Sequence, residues 1–468
     1  MFKKLISVLF IVIIFVSILS SCSNQIPKDE SEQKNEEIEE VDLNGYTFKF
    51  MVTQHVTNTP ELFPPEANTQ RGDKILKRYA DTETELNCIM DVAVIEGDVN
   101  AALTSSFAVG DKYADLIDTY IVNIVKNDMY YVPFEDYTEI DLTSEKWGYS
   151  NFLDATKKNG KTYGVFSQYW GLPAPAFMGS IFFLPRVFRE ANVPNPQEEY
   201  EQKNWNWETF EEYCTLMTST GEDGTIERYG TVFAQEMQLV RALIMANGVE
   251  FIQKDPETDL YKLMIDDPKI SETVNWIKGL IDKKIAKYES DWWQKAAQGL
   301  IDGVYAFHSA TCYHAFYDGE AHFANNCPDD TAWIPAPIGP SGSYDTPSTT
   351  FSAGFRAMGM PLNDNEDINN NVKIMNYVFE PLEDETSESW MEDLNHQFFF
   401  DELSFKYYLQ LLRTSKYDYS GILPTATSNI LSSLNTAVSG LKTVKEVFDT
   451  NRDALQTEID QYLNNISE

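Results

Sequence analysis

The chain has 468 residues and a formal net charge of −37, because 73 acidic residues outnumber 36 basic ones. This charge argues against nucleic-acid binding, since a phosphate backbone is neutralised by clustered lysine and arginine. It equally argues against electrostatic adsorption to an anionic membrane. The length and the 43% share of hydrophobic residues allow two to three domains with sizeable cores.

Residues 1–21 are predicted to be a lipoprotein signal peptide. A basic pair at positions 3 and 4 precedes an almost wholly apolar run over residues 5–19. The sequence Leu-Ser-Ser-Cys at residues 19–22 resembles a bacterial lipobox, in which the cysteine is acylated. We therefore expect a lipid anchor, such as palmitate, at Cys22 rather than a plain anchor or a cleaved signal. The protein would then be held at the cell membrane, on its extracytoplasmic face.

Residues 22–41 are acidic and polar, with too little apolar surface to pack, and are predicted to be a disordered tether. Four further cysteines follow. Cys88 and Cys214 lie in apolar segments and are expected to be buried thiols. Cys312 and Cys327 have a spacing that permits a disulfide outside the cytoplasm, and the sequence leaves that pairing open.

Strands and helices alternate in the next part of the chain. Apolar patterns predict strands over residues 45–53, 88–95 and 114–120 and a helix over residues 70–86. Asp98 is the predicted N-cap of a second helix, which stops at Gly110. Strands separated by helices predict a parallel sheet with right-handed crossovers.

The end of the third predicted strand supplies the first candidate site residues. Ligands bind beyond the carboxyl ends of the strands in such sheets, so Asp118 and Tyr120 are candidates for ligand contact. A second interpretation is that Asp118 only caps the helix that follows, and the sequence does not decide between the two.

Residues 159–188 are predicted to carry the chain from one lobe to another. The stretch opens with the hairpin dipeptide Asn159-Gly160 and continues with the aromatic residues Tyr169 and Trp170. Prolines at positions 173 and 175 hold the chain extended, and residues 180–184 are apolar enough for a strand buried on both faces. Ligand pockets form preferentially at such junctions.

The remaining elements are predicted from helical spacing and from short apolar runs. Predicted strands cover residues 229–234 and 304–309. Predicted helices cover residues 205–217 (capped by Asn206), 239–246, 271–285, a stretch after Trp293 that ends near Gly303, 370–379 and 397–412, and two more lie within residues 430–463.

The order of motifs from residue 41 to residue 380 resembles that of the bacterial family 1 extracellular solute-binding proteins, the maltose-binding type of substrate-capturing subunit of ABC importers. No single motif is specific, and the resemblance rests on their order behind a lipobox. The matching pieces are NGKTYG at 159–164, the strand and helix over 177–188, WETF at 207–210, YG at 229–230, ANG at 246–248, GVYAF at 303–307, WIPAP at 333–337 and SAGF at 352–355.

The resemblance implies an α/β protein with the two-lobed periplasmic-binding-protein type II fold. Each lobe would be a mainly parallel sheet flanked by helices, joined to the other by two or three crossing segments, with the ligand cleft between them. The expected first lobe is residues 42–178 plus about 336–365, and the expected second lobe is residues 179–335 plus about 366–468, including C-terminal helices packed on that lobe.

The resemblance also carries over two site residues by position, Glu236 after the strand at 229–234 and Tyr313 as a sugar-stacking aromatic. The sequence departs from the family pattern just before Tyr313, where Ala-Thr-Cys replaces a Gly-Pro-Trp-like element. Sugar binders need flat aromatic faces for the ring and planar polar groups for the hydroxyls. The full candidate set is Asp118, Tyr120, Tyr169, Trp170, Glu236, Trp292, Trp293, Tyr313 and Arg356.

Chemistry is not expected at this site. Three histidines and two cysteines lie within residues 308–327, but without a compact metal-binding spacing, so we predict neither a metal nor a cofactor. The expected function is that of a monomeric receptor that closes on a small solute, a carbohydrate by preference, and delivers it to the membrane subunits of an ABC permease. The alternatives are a surface glycoside hydrolase, a lipoprotein for peptides or other polar solutes, and an adhesive lipoprotein without a small ligand.

Overall fold

The computed structural model describes residues 41–53, 70–171, 178–234, 237–255, 257–258, 260–289, 293–310, 331–347, 349–351, 355–392, 399–423 and 425–464. Asp42–Glu468 form one compact unit. Within the described ranges, no helix is long and apolar enough to cross a bilayer.

The part of the chain before residue 171 alternates strands and helices as the sequence predicts. Asp98 accepts hydrogen bonds from the first turn of its helix, and Gly110 ends that helix in the left-handed conformation. The elements are β1 (Tyr46–Thr53), α1 (Gln70–Leu86), β2 (Cys88–Ile95), α2 (Val99–Val109), β3 (Leu116–Tyr120), α3 (Ile121–Lys126), α4 (Ser150–Ala155), β4 (Lys157–Lys158) and β5 (Lys161–Thr162).

The middle of the chain also follows the predicted order, and Asn206 caps its helix by accepting hydrogen bonds from two backbone N–H groups of the first turn. The elements are β6 (Ser180–Phe183), α5 (Pro185–Glu190), α6 (Pro196–Glu201), α7 (Trp207–Met217), β7 (Ser219–Thr220), β8 (Ile226–Ala234), α8 (Gln238–Ala246), β9 (Ile252–Lys254), β10 (Tyr261–Leu263), α9 (Pro268–Asp282), β11 (Ala286–Glu289), α10 (Trp293–Ile301), β12 (Tyr305–Ala310) and β13 (Ala332–Ile334).

The last part of the chain is mostly helical. Residues 430–463, predicted as two helices, belong to three, because Gly440 and a capping box at Thr443 interrupt the apolar pattern. The elements are β14 (Arg356–Gly359), α11 (Asn365–Val378), α12 (Glu402–Thr414), α13 (Ala426–Val438), α14 (Val444–Asp449) and α15 (Arg452–Tyr462).

Two separate sheets organise the fold. The first has the order β14-β3-β1-β2, in which β1, β2 and β3 are parallel and β14 is antiparallel to β3. The second has the order β11-β8-β12-β6-β13, with β7 paired to β8. In it β11, β8 and β12 are parallel, and β6 runs antiparallel to both of its neighbours. β6 is buried along its whole length, as its sequence predicts.

Three segments lie side by side where the chain passes between the two sheet regions. Met178 donates its N–H to Thr350 O (2.8 Å), Phe351 donates to Lys416 O (2.9 Å), and Lys416 donates to Thr349 O (2.8 Å). We call these the first crossing (residues 178–179), the second crossing (349–351) and the third crossing (415–417). Backbone hydrogen bonds therefore tie the three crossings into one narrow ribbon.

Helix α11 corrects one prediction. The sequence assigned residues 366–468 to the second lobe, but α11 packs on α1 and β1 of the first sheet. Tyr46 Oη donates to Asn371 Oδ1 (3.0 Å), and Lys112 pairs with Asp367 (3.1 Å). Amphipathic spacing shows that a helix has an apolar face but not which sheet that face meets. The helices after the third crossing, α13 and α15, do contact α9 and β10 of the second region.

Candidate functional site

The topology brings the carboxyl edges of both sheets to the same place. β6 starts one residue after the first crossing and runs antiparallel to β12, so its first residue lies where β12 ends. β14 starts five residues after the second crossing and runs antiparallel to β3, so its first residue lies where β3 ends. The carboxyl edges of the two sheets therefore flank the same ribbon, which is where ligands bind in open α/β sheets.

The edge of the first sheet carries a buried charged pair. Asp118 and Arg356 are only 2% and 4% exposed. Arg356 Nη1 lies 3.4 Å from Asp118 Oδ2 and donates a hydrogen bond to Thr53 O (3.1 Å). Thr53 Oγ1 in turn donates to Asp118 O (2.8 Å). The last residue of β1, the central residue of β3 and the first residue of β14 are thus joined through polar contacts.

Burial disfavours the charged form of the Asp118 carboxylate. Burial raises its pKa above the ordinary value, and the nearby Arg356 guanidinium offsets only part of that rise. Within the described residues, Asp118 Oδ2 accepts no hydrogen bond. Asp118 does not cap α3, because the N-cap of that helix is Tyr120. The alternative in which Asp118 is only a helix cap is therefore wrong.

The aromatic candidates of this edge divide into two kinds. Tyr120 and Tyr169 are partly exposed. Trp170 is 1% exposed, and its ring contacts Phe379 with ring centroids 5.2 Å apart. Its indole N–H donates to Glu380 O (2.8 Å). The prediction that Trp170 contacts a ligand is contradicted in this conformation, because the core covers both the ring and the polar atom.

The edge of the second sheet carries buried polar atoms that have no hydrogen-bond partner in the described part of the chain. Ser180 Oγ starts β6, Ser309 Oγ lies near the end of β12, and Gln238 Oε1 lies at the start of α8. None of these three buried atoms makes a hydrogen bond to the described residues. Buried polar atoms normally find partners, so unsatisfied ones mark places where a ligand or water completes the set.

Several predicted site residues lie outside the described part of the chain, namely Cys22, Glu236, Trp292, Tyr313, Cys312 and Cys327. Trp293 begins α10, just after β11, but its side chain is not described. Cys88 and Cys214 are buried free thiols, as expected. Among the described residues, no cluster of histidine, cysteine or carboxylate groups has the composition of a metal site.

The structure adds edge residues that the sequence analysis missed. Ser180, Ser309 and Gln238 are ordinary polar residues whose place at the edge follows only from sheet pairing. Arg71, at the start of α1, is partly exposed and donates to Trp170 O. The only signal for Arg71 was its position just inside a predicted helix that follows a strand.

Three cavities among the described residues lie elsewhere. A cavity of 560 Å³ lies over α7, lined by the stacked Trp207 and Trp276 and by glutamates. A second, of 310 Å³, adjoins α5 and β13. A third, of 610 Å³, lies between α4 and Arg413. None of the three is lined by the polar residues of the two carboxyl edges.

No family model and no curated protein matches the sequence. Solved structures do match over most of the chain. The cyclic α-maltosyl-1,6-maltose binding protein of Arthrobacter globiformis matches with a TM-score of 0.61 at 12% identity, covering 89% of this chain and 100% of that one. The chain has the type II periplasmic-binding-protein fold.

Two further neighbours share this fold. The galacto-N-biose-/lacto-N-biose I-binding protein of the Bifidobacterium longum ABC transporter has a TM-score of 0.57 at 12% identity, covering 91% of this chain and 98% of that one. UgpB from Mycobacterium tuberculosis, in complex with glycerophosphocholine, has a TM-score of 0.53 at 15% identity, covering 84% and 96%. The type II fold confirms the α/β, two-lobed prediction made from the sequence.

Proposed function

We propose that this protein is an extracytoplasmic solute receptor that binds a carbohydrate, or a similar small polar solute, between its two sheets and delivers it to the permease of an ABC importer. One observation carries the proposal. The carboxyl edges of two sheets, each with buried polar atoms that make no hydrogen bond to the described residues, flank one three-segment ribbon. Site-forming edges joined by a narrow connection suit a ligand that contacts both lobes.

The lobes in this proposal are bounded by the crossings. The first comprises residues 42–171 with 355–391, and the second comprises residues 180–347 with 418–464. This revises the expected boundaries, because α11 packs on the first sheet. α12 lies between them, since Ser404 bonds to Trp333 of β13 while Leu412 O accepts from Asn151 of α4.

The solute class is inferred from the edges and the neighbours together. The ligands named for the neighbours include a cyclic maltosyl-maltose, lacto-N-biose and glycerophosphocholine, all of which carry several hydroxyl groups. The hydroxyl, amide and carboxylate groups at the two edges are suited to hydroxyl recognition. Tyr120, Tyr169, Trp292, Trp293 and Tyr313 are the proposed aromatic contacts, and Glu236 the proposed polar contact of the second lobe.

This arrangement supports transport rather than catalysis. A solute that contacts both lobes binds the closed form more tightly than the open form, so it shifts the population toward the closed form. The permease would then recognise the closed form. The named neighbours are binding proteins. We therefore propose a monomeric, non-enzymatic receptor. Its proposed anchor is a lipid on Cys22, which incorporation of radiolabelled palmitate into the wild type but not into Cys22→Ala would test.

A thermal-shift screen tests the binding function. The probes are maltose, lacto-N-biose, ribitol and glycerophosphocholine, each added to residues 42–468. A ligand at about 100 times its Kd stabilises the folded state by about 2.7 kcal/mol, which raises the melting temperature visibly. Recovery of the bound solute intact supports a receptor. Solute recovered as hydrolysis products would instead indicate a glycosidase, and no shift with any polyhydroxylated probe would refute the proposal.

A further inference from the structure

We propose that Arg241 is a positioning residue that couples the ligand edge of the second lobe to the crossings, so that the lobes move as rigid bodies about a defined axis. The proposal rests on the proposed function, because closure matters only if a solute is bound. Arg241 lies on α8, the helix that follows the carboxyl end of β8, and it is 5% exposed.

Arg241 contacts the first crossing and the residue that directly follows the third. Its Nη2 pairs with Asp418, which follows directly after the third crossing. Its Nη1 lies 3.6 Å from the sulfur of Met178 in the first crossing. Met178 is itself bonded through its backbone to Thr350 of the second crossing. One buried guanidinium thus reaches the first crossing directly, the second through Met178, and the third through Asp418, the residue that follows it.

The helix that carries Arg241 has no room to slide past the ribbon. Gly179 has a φ of +78°, and a Cβ added there would lie 2.0 Å from the Cβ of Ala242, the neighbour of Arg241. α8 therefore packs directly on the first crossing. Its first turn lies at the ligand edge, where Gln238 Oε1 makes no hydrogen bond to the described residues. A displacement of that turn must move the ribbon.

A gain in stability does not by itself explain why Arg241 and Asp418 form a buried ion pair. An apolar pair of similar volume is often as stable as a buried ion pair, whereas directional charged contacts fix one arrangement among several. Asp418 also accepts a hydrogen bond from Ser420 N (2.9 Å), which fixes the turn Tyr419–Ile422. This hydrogen bond holds the Asp418 carboxylate, directly after the third crossing, in a position where it pairs with Arg241.

The test replaces the pair without leaving a charge buried. Arg241→Met with Asp418→Asn removes both charges and keeps the amide oxygen that accepts from Ser420. The matched control is Lys416→Met with Glu250→Gln, which removes an exposed ion pair that also ties the third crossing to the second region. Circular dichroism and melting temperature establish that both variants fold.

The readout is the distance between the lobes in the protein without solute. Spin labels are placed on unnatural amino acids, which leaves the native cysteines unchanged. The labelled positions are residue 96, directly after β2, and residue 298, in α10, and both are exposed. The wild type and the control should each give a narrow distance distribution. The Arg241→Met/Asp418→Asn variant should give a distribution at least twice as wide, because the crossings are no longer tied to α8.

Solute binding supplies the second readout. For any of the four probe solutes that binds, the apparent Kd of Arg241→Met/Asp418→Asn should rise about tenfold, since apparent affinity falls with the fraction of binding-competent protein. The control should change it less than twofold. If no probe binds, the proposed function fails while the label distances still decide the role of Arg241.

Arg241→Lys keeps the proposal testable should the double variant not fold. A lysine ammonium can pair with Asp418 but lacks the planar fork that also reaches Met178. It should therefore give a distance distribution of intermediate width. A folded variant whose distance distribution and Kd both match the wild type would overturn the proposal.

Discussion

Asp118 is a buried carboxylate whose pKa lies above the ordinary value. Its raised pKa means that desolvation outweighs the attraction of Arg356. Groups with perturbed pKa values are concentrated at functional sites. The sequence located Asp118 because a strand end is a local feature. It did not reveal the pair with Arg356, since that contact depends on how β14 pairs with β3.

The Asp118→Asn variant should be at least as stable as the wild type at neutral pH. Because the folded-state pKa is above the ordinary 3.8, the folded state binds more protons than the unfolded state between the two values. The unfolding free energy of the wild type therefore falls as pH rises through that window, by at most about 1.4 kcal/mol per pH unit. Asparagine removes this slope, and urea unfolding across a pH series measures it.

The control for this prediction is Asp111→Asn, an exposed aspartate of the same lobe, which should leave the pH dependence unchanged. If Asp118→Asn lost more than about 1 kcal/mol at neutral pH, the ion pair with Arg356 would be worth more than its desolvation costs, contrary to the direction of the pKa. A weakened solute affinity with retained stability would assign the carboxylate to the ligand.

Trp170 makes the opposite case, a residue chosen for ligand contact that packs in the core. Aromatic residues next to a junction look alike in a sequence whether they face a cleft or a core. Trp170→Ala should lower the unfolding free energy by about 3–5 kcal/mol, as expected for truncating a buried tryptophan. Trp170→Phe should lose less, while losing the hydrogen bond to Glu380 O. An Ala variant of wild-type stability with weakened solute binding would restore Trp170 to the site.

At the scale of elements, the sequence predicted best what neighbouring residues decide. Asp98, Asn206 and Gly110 cap their helices as expected, and Asn159-Gly160 forms the β4–β5 turn with positive φ at both residues. These signals act within one turn of chain. The assignment of α11 failed because it depends on contacts with α1, almost three hundred residues earlier. Sheet order and the three crossings are likewise non-local.

Gly179 gives the element-scale prediction, because it is where α8 meets the first crossing. Gly179→Ala should lower the unfolding free energy by about 3 kcal/mol. Part of this loss comes from overpacking of the added Cβ against Ala242, and part comes from the left-handed backbone, which disfavours any residue other than glycine. Adding Ala242→Gly removes the overlap and should recover part of the loss, less the cost of about 1 kcal/mol for glycine within a helix. Chemical denaturation of the single and double variants measures both steps.

The control substitution is Gly279→Ala, a helical glycine of α9 whose added Cβ would meet nothing within 4 Å. It should stabilise the protein slightly, since alanine favours a helix over glycine. If Gly179→Ala loses stability and adding Ala242→Gly recovers none of it, the loss comes from the backbone at residue 179 alone and α8 is not pressed against the crossing.

At the scale of the molecule, the sequence predicted two α/β lobes, and the fold confirms them. The crossing ribbon explains how that design positions a site. Both carboxyl edges begin within a few residues of Met178 and Phe351, so a small rotation there moves one edge relative to the other. The sequence could place the first crossing from its prolines and buried strand. The sequence could not predict the third crossing, because residues 415–417 contain no proline and no buried-strand pattern that would indicate it.

The net charge of −37 supplies a whole-molecule prediction that separates two solute classes. Like charges repel within the compact state, and salt screens exposed charges over a Debye length of about 10 Å at 0.1 M. Raising sodium chloride from about 0.02 M to about 0.5 M should therefore raise the melting temperature of residues 42–468. A neutral sugar should bind with a Kd that changes less than about twofold over the same range, because it gains nothing from the protein's field.

A cationic solute would behave differently, since the acidic surface attracts it and salt weakens that attraction. Choline is the cationic probe, and glycerophosphocholine, whose phosphate and choline charges cancel, is its matched probe without net charge. Isothermal titration of both at the two salt concentrations gives the comparison. Binding of choline with a Kd that rises steeply with salt, beside no binding of the neutral sugars, would identify a cation as the natural solute and would remove carbohydrate from the proposal. A salt-independent Kd beside a salt-dependent melting temperature would show that the charge serves the surface of the protein, whereas recognition lies in the polar groups of the two sheet edges.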